Sequence, residues 1–171
     1  MATLETALAL ASRAHTGTLD KGGEPCILHP LRVMAGVTDP DAKIVAILHD
    51  VVEDTDVTMA DLRTKGFSSA VLTAVELLTH RPEQSYADYV IACKADPLAR
   101  QVKMADLRDN ANLDRLLLRP KTFDKDSARM HRYVLSYRYL ADHIPEADYR
   151  ALMVRLERGI QGPFHSPASA A

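Results

Sequence analysis

Apolar residues recur along this chain at intervals of three and four, the period of a helix with one face turned to a core. Leu4, Leu8, Ala11 and His15 follow that spacing, and Gly17 suits the end of a first helix. A second helix is expected to start near His29-Pro30, because proline is tolerated in a first turn. Asp39-Pro40 reads as an N-cap followed by proline at the first helical position, opening a helix whose apolar run 44–48 leads into His49-Asp50. Thr58-Met59-Ala60-Asp61 resembles a capping box with a short acid, and Gly66 stops the helix behind it. Further helices are expected over 68–78, over 86–95 behind a Ser85 cap, from Pro97 to about Asn110, and over 124–142 and 146–160. The one Gly-rich loop covers 17–26. With no convincing strand, repeat or linker, the chain reads as one all-α domain over 1–160, with 161–171 as a flexible tail.

Composition narrows the classes without naming one. A length of 171 residues suits a single domain, and 47% hydrophobic with 26% charged residues is ordinary for a globular protein. A formal net charge of −2 argues against a dedicated nucleic-acid binder but leaves room for a small anionic ligand. Cys26 and Cys93 lack metal-finger spacing and read as two reduced thiols. Residues 1–14 carry no cation ahead of their apolar part, and Glu5 interrupts it, so no secretory signal is read there. No apolar run approaches the length that crosses a bilayer. The expectation is a soluble cytoplasmic protein without membrane or nucleic-acid partners. Apolar stripes on the terminal helices would serve a homo-oligomer interface or simply complete the core.

The chemistry concentrates around His49-Asp50. On a helix, Glu53 lies four residues after His49 and Asp54 four after Asp50, which gathers the four side chains on neighbouring faces. Acids leaving an apolar run are costly to bury unless a cation or strong donors compensate them. A metal site is the economical explanation. His29 and Asp106 are candidate ligands from other helices, Asp106 being an acid that interrupts a mostly apolar face within 102–110. A mixed imidazole and carboxylate set favours manganese, iron or zinc over a calcium cage. Taken singly, each residue has an ordinary explanation as a packing histidine or a solvated acid; together, in this order, they do not.

That order, His29, His49-Asp50, Asp106, resembles the signature of the HD-domain metal-dependent phosphohydrolases. The fuller pattern adds His15, Gly17, Lys21, Gly23-Glu24-Pro25, Ile27, Pro30-Leu31, Leu48 through Thr55, Leu78-Thr79, Ser85-Tyr86, Lys103 and Asn110. Over about residues 7–140 it is similar to the hydrolase domain of the RelA/SpoT homologues, in the single-domain form of the small alarmone hydrolases. The resemblance implies a helical bundle of about eight to ten helices with a metal in its core, and removal of the 3′-pyrophosphate of guanosine tetra- and pentaphosphate. It implies Mn²⁺, or another divalent transition metal, held by His29, His49, Asp50 and Asp106. It casts Glu53 as the base for the attacking water and Asp54 as its assistant. Lys21, Lys103, Asn110, Arg129 and Tyr133 become candidate contacts to the nucleotide, Lys103 either touching phosphate or neutralising the acidic centre, with His15 ordering the surrounding loop.

The chain departs from the family at Thr18, Asp20 and Cys26, where the pattern commonly has Gln, Arg and Tyr. The missing Arg serves base recognition there. An acid at position 20 would reject a phosphate or pair with an exocyclic amine, which opens the choice between guanine and adenine. Two other readings stand beside the main one: a phosphohydrolase of another nucleotide, such as an adenine alarmone or the 2′-phosphate of NADPH, and a non-catalytic nucleotide sensor on the same scaffold.

Overall fold

The helix starts lie where the capping residues place them. In the computed structural model, which describes residues 1–115 and 119–159, the Asp39 carboxylate accepts from the N–H of Ala42 at 2.9 Å and opens α3 (Pro40–Leu48). Thr58 and Asp61 form the reciprocal cap of α5 (Met59–Thr64). Ser68 caps α6 (Ser69–Leu78), Ser85 caps α7 (Tyr86–Ala95) and Asp96 caps α8 (Pro97–Asn110). Each such cap satisfies an N–H that the helix cannot satisfy internally. The remaining helices are α1 (Leu4–Ala14), α2 (Leu28–Ala35), the single turn α4 (Val51–Asp54), α9 (Phe123–Leu140) and α10 (Glu146–Glu157). Among the described residues the only strand-like pairing is one bridge between Leu19 and Pro25, at the base of the Gly-rich loop. The all-α expectation holds. The expected tail over 161–171 lies outside the described residues.

α3 is the axis of the core. Val45, Ala46, Ile47 and Leu48 are fully buried, and Ile44 nearly so, so this helix is apolar almost all round, as befits one enclosed by others. Burying Ile47 and Leu48 alone contributes roughly 1.5–3 kcal/mol each. α1, α2, α6 and α8 surround it. More important for the site, α2, α3 and α8 each pack on the other two, which brings together His29 on α2, His49 directly after α3 and Asp106 on α8. At the far side, α9 and α10 are joined by stacked Tyr139 and Tyr149 rings, 4.6 Å between centroids, and by a 2.9 Å hydrogen bond between the Ser136 and Tyr149 hydroxyls.

One element departs from expectation. The helix expected to run through His49-Asp50 to Asp54 is interrupted: α3 ends at Leu48, His49 and Asp50 form a turn, and α4 resumes at Val51. The cause is local. His49 Nδ1 donates to the carbonyl of Ala46 at 2.7 Å, competing for an acceptor of the helical ladder. The Asp50 carbonyl still accepts from the N–H of Asp54 at 2.9 Å. No described helix is long and apolar enough to cross a membrane. Cys26 and Cys93 are both free thiols, and burial pushes the Cys93 thiol up to about 12.

Candidate metal centre

His29 from α2, His49 and Asp50 after α3, and Asp106 from α8 meet at one point. Ligand atoms of His29, His49 and Asp50 lie within 4.8 Å of one another. His29 Nε2 stands 3.1 Å from Asp106 Oδ1 and 3.5 Å from Asp50 Oδ2. His49 Nε2 stands 3.1 Å from Asp50 Oδ1 and 3.9 Å from Asp106 Oδ1. His29, His49 and Asp106 are buried, while Asp50 is partly open to the cleft.

The donor chemistry fits a divalent transition ion. A carbonyl can only accept, so the contact with Ala46 places the His49 proton on Nδ1 and turns a lone pair outward on Nε2. That Nε2 is buried and makes no hydrogen bond despite its short distance to Asp50, an orphan that a metal ion would satisfy. His29 is oriented the same way, its Nδ1 donating to Asp109 Oδ2 at 2.6 Å. Burial opposes charge on His29, but Asp106, Asp109 and Asp50 together hold its imidazole protonated up to about 9. The point where the four side chains converge therefore attracts positive charge.

Asp109 was not singled out in the sequence, where it looks like an ordinary acid near a helix end. Its carboxylate also takes Arg32 Nε at 2.8 Å and Arg115 Nη1. Lys103, expected to neutralise the acidic centre or to touch phosphate, lines the cleft but is largely buried, its Nζ 2.8 Å from Asp106 Oδ2 and 4.8 Å from the centre of the Tyr89 ring. Burial disfavours its charge, yet the Asp106 carboxylate holds it cationic; burial likewise opposes ionisation of Asp106, and Lys103 with His29 and His49 outweighs it. Asn110 is also turned inward, its Nδ2 donating to Asp106 Oδ1.

Glu53 and Asp54 project from α4 at the rim of the same cleft. Glu53 Oε2 accepts from the N–H of His80 at 3.0 Å. Desolvation in the cleft pushes Glu53 up against the pull of that N–H, and Asp50 and Asp54 add to the rise; Asp54 is raised by desolvation and by Asp50. Both are thus weaker acids, and better proton acceptors, than free carboxylates.

The cleft has a volume of about 980 Å³, in the range of nucleotide-sized sites. Lys21, Lys103, Asn110, Arg129 and Tyr133 all line it, and so does His15, buried with its Nε2 unpartnered. Arg129 is braced by Asp126 at 3.0 Å. Arg132, absent from the expected set, joins that wall with its guanidinium 4.2 Å over the Tyr86 ring and its Nε without a partner. Its position three residues after Arg129 was the available signal. Asp20 does not stand free to meet a base: Oδ1 accepts from the N–H groups of Gly22 and Glu24 at 2.8 and 3.0 Å, and Oδ2 from Arg115 Nη2 at 2.9 Å.

No family model matches the chain. Among characterised proteins, it is 31% identical over 143 residues to a GTP pyrophosphokinase of Streptomyces coelicolor, covering 76% of this chain and 17% of that protein. It is 32% identical over 119 residues to the guanosine-3′,5′-bis(diphosphate) 3′-pyrophosphohydrolase of Aquifex aeolicus, covering 63% of this chain and 17% of that one. The chain thus spans about a sixth of the length of these relatives. A solved structure described as a metazoan ortholog of SpoT that hydrolyzes ppGpp superposes with a TM-score of 0.62 at 21% identity, covering 94% of this chain and 98% of that one. That likeness establishes the fold.

Proposed function

From a chain that belongs to the HD-domain hydrolase group of the RelA/SpoT homologues, we propose a metal-dependent hydrolase of the 3′-pyrophosphate of guanosine tetra- and pentaphosphate. The observation that carries this reading is the pairing of two things in one cleft. His29, His49, Asp50 and Asp106 converge with an unpartnered imidazole nitrogen, and Glu53 and Asp54 stand beside them on the rim.

His29, His49, Asp50 and Asp106 would hold Mn²⁺. When bound, the ion lowers the pKa of water toward neutrality and stabilises charge developing on a phosphoryl oxygen. The residues of the chain supply the rest. Glu53 has Oε2 tied to the His80 N–H, so Oε1 is the atom that receives the proton of the attacking water. Asp54 orients that water. As its oxygen bonds to phosphorus, the bond from phosphorus to the ribose 3′ oxygen breaks, and inorganic pyrophosphate and the nucleoside 5′-diphosphate or triphosphate leave. Lys21, Arg129 and Arg132 give the cleft the positive charge a polyphosphate needs, and Tyr133 offers a ring to the nucleoside. Lys103 and Asn110 act on Asp106, keeping it ionised and aimed at the ion.

Product analysis tests this. Guanosine tetraphosphate, its adenine analogue and NADPH are incubated separately with Mn²⁺-loaded protein, and the products resolved by chromatography. Glu53→Gln is expected to bind the guanine alarmone as wild type does while losing 10²-fold or more in turnover, the usual scale for a general base. Binding without turnover by wild type as well would turn the reading to a sensor, and phosphate release from NADPH alone to another phosphohydrolase.

A further inference from the structure

The Gly-rich loop is tied to a metal ligand by two convergent arms. Asp20 and Glu24 are the feet of the loop, and Gly23 between them takes a left-handed φ of +85°, which glycine adopts at little cost. From the first foot, Asp20 Oδ2 holds Arg115 Nη2 at 2.9 Å, and Arg115 Nη1 reaches Asp109 Oδ2. From the second, Glu24 Oε2 holds Arg32 Nη1 at 3.3 Å, and Arg32 Nε reaches Asp109 Oδ1 at 2.8 Å. Both arms end on one carboxylate, 8% exposed, whose Oδ2 takes the His29 Nδ1 proton at 2.6 Å. Lys21 sits between the feet and lines the cleft.

We propose that Asp109 is a positioning residue that aims His29 at the metal, and that Arg115 and Arg32 couple this aim to the loop carrying Lys21. The inference rests on the reading of His29 as a ligand. It follows from the inventory of donors. With Nδ1 fixed by a carboxylate, the ring presents only Nε2 to the ion, and its basicity as a ligand rises. Asp109 in turn has no freedom to follow another partner, because guanidinium groups from α2 and from the turn Leu113–Arg115 hold each of its oxygens. Asp20 has both oxygens committed, one to its own loop and one to Arg115. Its part is to set the loop against the ligand rather than to read the purine. A cation entering the cleft thus finds a ligand whose orientation depends on the loop, and a phosphate gripped by Lys21 finds its loop anchored to the ligand.

The test measures Mn²⁺ affinity of the nucleotide-free protein by titration calorimetry, for wild type, Asp109→Asn, Arg115→Met and Asp20→Asn. Loss of a partner that orients a metal ligand commonly weakens binding 10–100-fold, and that range is expected for Asp109→Asn. Arg115→Met and Asp20→Asn, one and two links further out, are expected to weaken it by about threefold or more. Asp20→Asn keeps the Oδ1 acceptor of the loop turn and replaces a side chain that is only partly buried, so it folds even if Asp109→Asn does not. It is also assayed on guanine and adenine tetraphosphates, where KM is expected to rise by the same factor for both. Mn²⁺ affinities within twofold of wild type for Arg115→Met and Asp20→Asn would overturn the proposal. So would a change in the guanine-to-adenine ratio with unaltered metal binding, which is the signature of direct base reading. Wild type that binds Mn²⁺ but cleaves no alarmone would retire the functional reading while leaving the metal titrations to decide this one.

Discussion

Replacing Lys103 by Met separates a residue that serves the metal ligand from one that grips phosphate. Met preserves most of the buried stem and removes the ammonium 2.8 Å from Asp106 Oδ2. Removing one partner of a buried ion pair costs about 3–5 kcal/mol, because the other charge is left uncompensated. Asp106 keeps two donors, His29 Nε2 at 3.1 Å and Asn110 Nδ2, so the lower end, about 3 kcal/mol, is expected. For a protein of this size that is a fall in Tm of roughly 6–12 °C. A metal ion bonded to Asp106 would replace much of the lost positive charge, so the deficit should shrink by half or more in saturating Mn²⁺. Thermal melts of both proteins, in EDTA and in Mn²⁺, read the effect directly. A variant that melts within about 2 °C of wild type in EDTA, yet raises KM for the nucleotide, would refute the reasoning and return Lys103 to the substrate.

Further outcomes follow from the same geometry. Asp106 and Asp109 outweigh the burial of His29 and hold its proton up to about 9, above the ordinary 6.5, so an entering cation must displace that proton. Mn²⁺ affinity should therefore climb with pH from 6.5 and level off near 9, with proton release seen as a buffer-dependent heat of binding; a flat profile contradicts the assignment. Asp126, held down to about 2 by Arg119 with Thr122 assisting, has a folded value below its unfolded one. Its stabilisation is complete above the usual carboxylate range and is lost as pH falls through about 2. Asp126→Asn should thus melt below wild type at pH 6 and approach it near pH 2, as read by circular dichroism. An unchanged gap across that range would show that the carboxylate's charge is not what matters.

Much of the scaffold was legible because its signals are local. Asp39, Thr58 and Ser85 announce helix starts through side-chain bonds to residues three positions on, which need no knowledge of the fold. The four candidate ligands were legible for a different reason: acids and imidazoles next to apolar runs demand compensation wherever the helices lie. What escaped depends on packing between distant segments. The contact of Asp109 with His29 joins residues 80 positions apart, and nothing near Asp109 reveals it until α2 meets α8. The burial of Lys103 has the same origin. Sequence alone relates Asp20 to the purine because it stands where the family pattern has a base-recognising Arg, whereas Arg115, the partner that occupies it, arrives from beyond α8. The break at His49-Asp50 arises because one imidazole takes a backbone carbonyl, a choice that helical periodicity does not record.

The most direct test of the central claim is pyrophosphate release from guanosine tetraphosphate, followed with the Mn²⁺-loaded protein, with the protein in EDTA, and with Asp50→Ala. One pyrophosphate per nucleoside diphosphate formed, abolished by chelation and by loss of Asp50, is the predicted result. Release that persists in EDTA or in Asp50→Ala, or no release by wild type that demonstrably holds the metal, would contradict it.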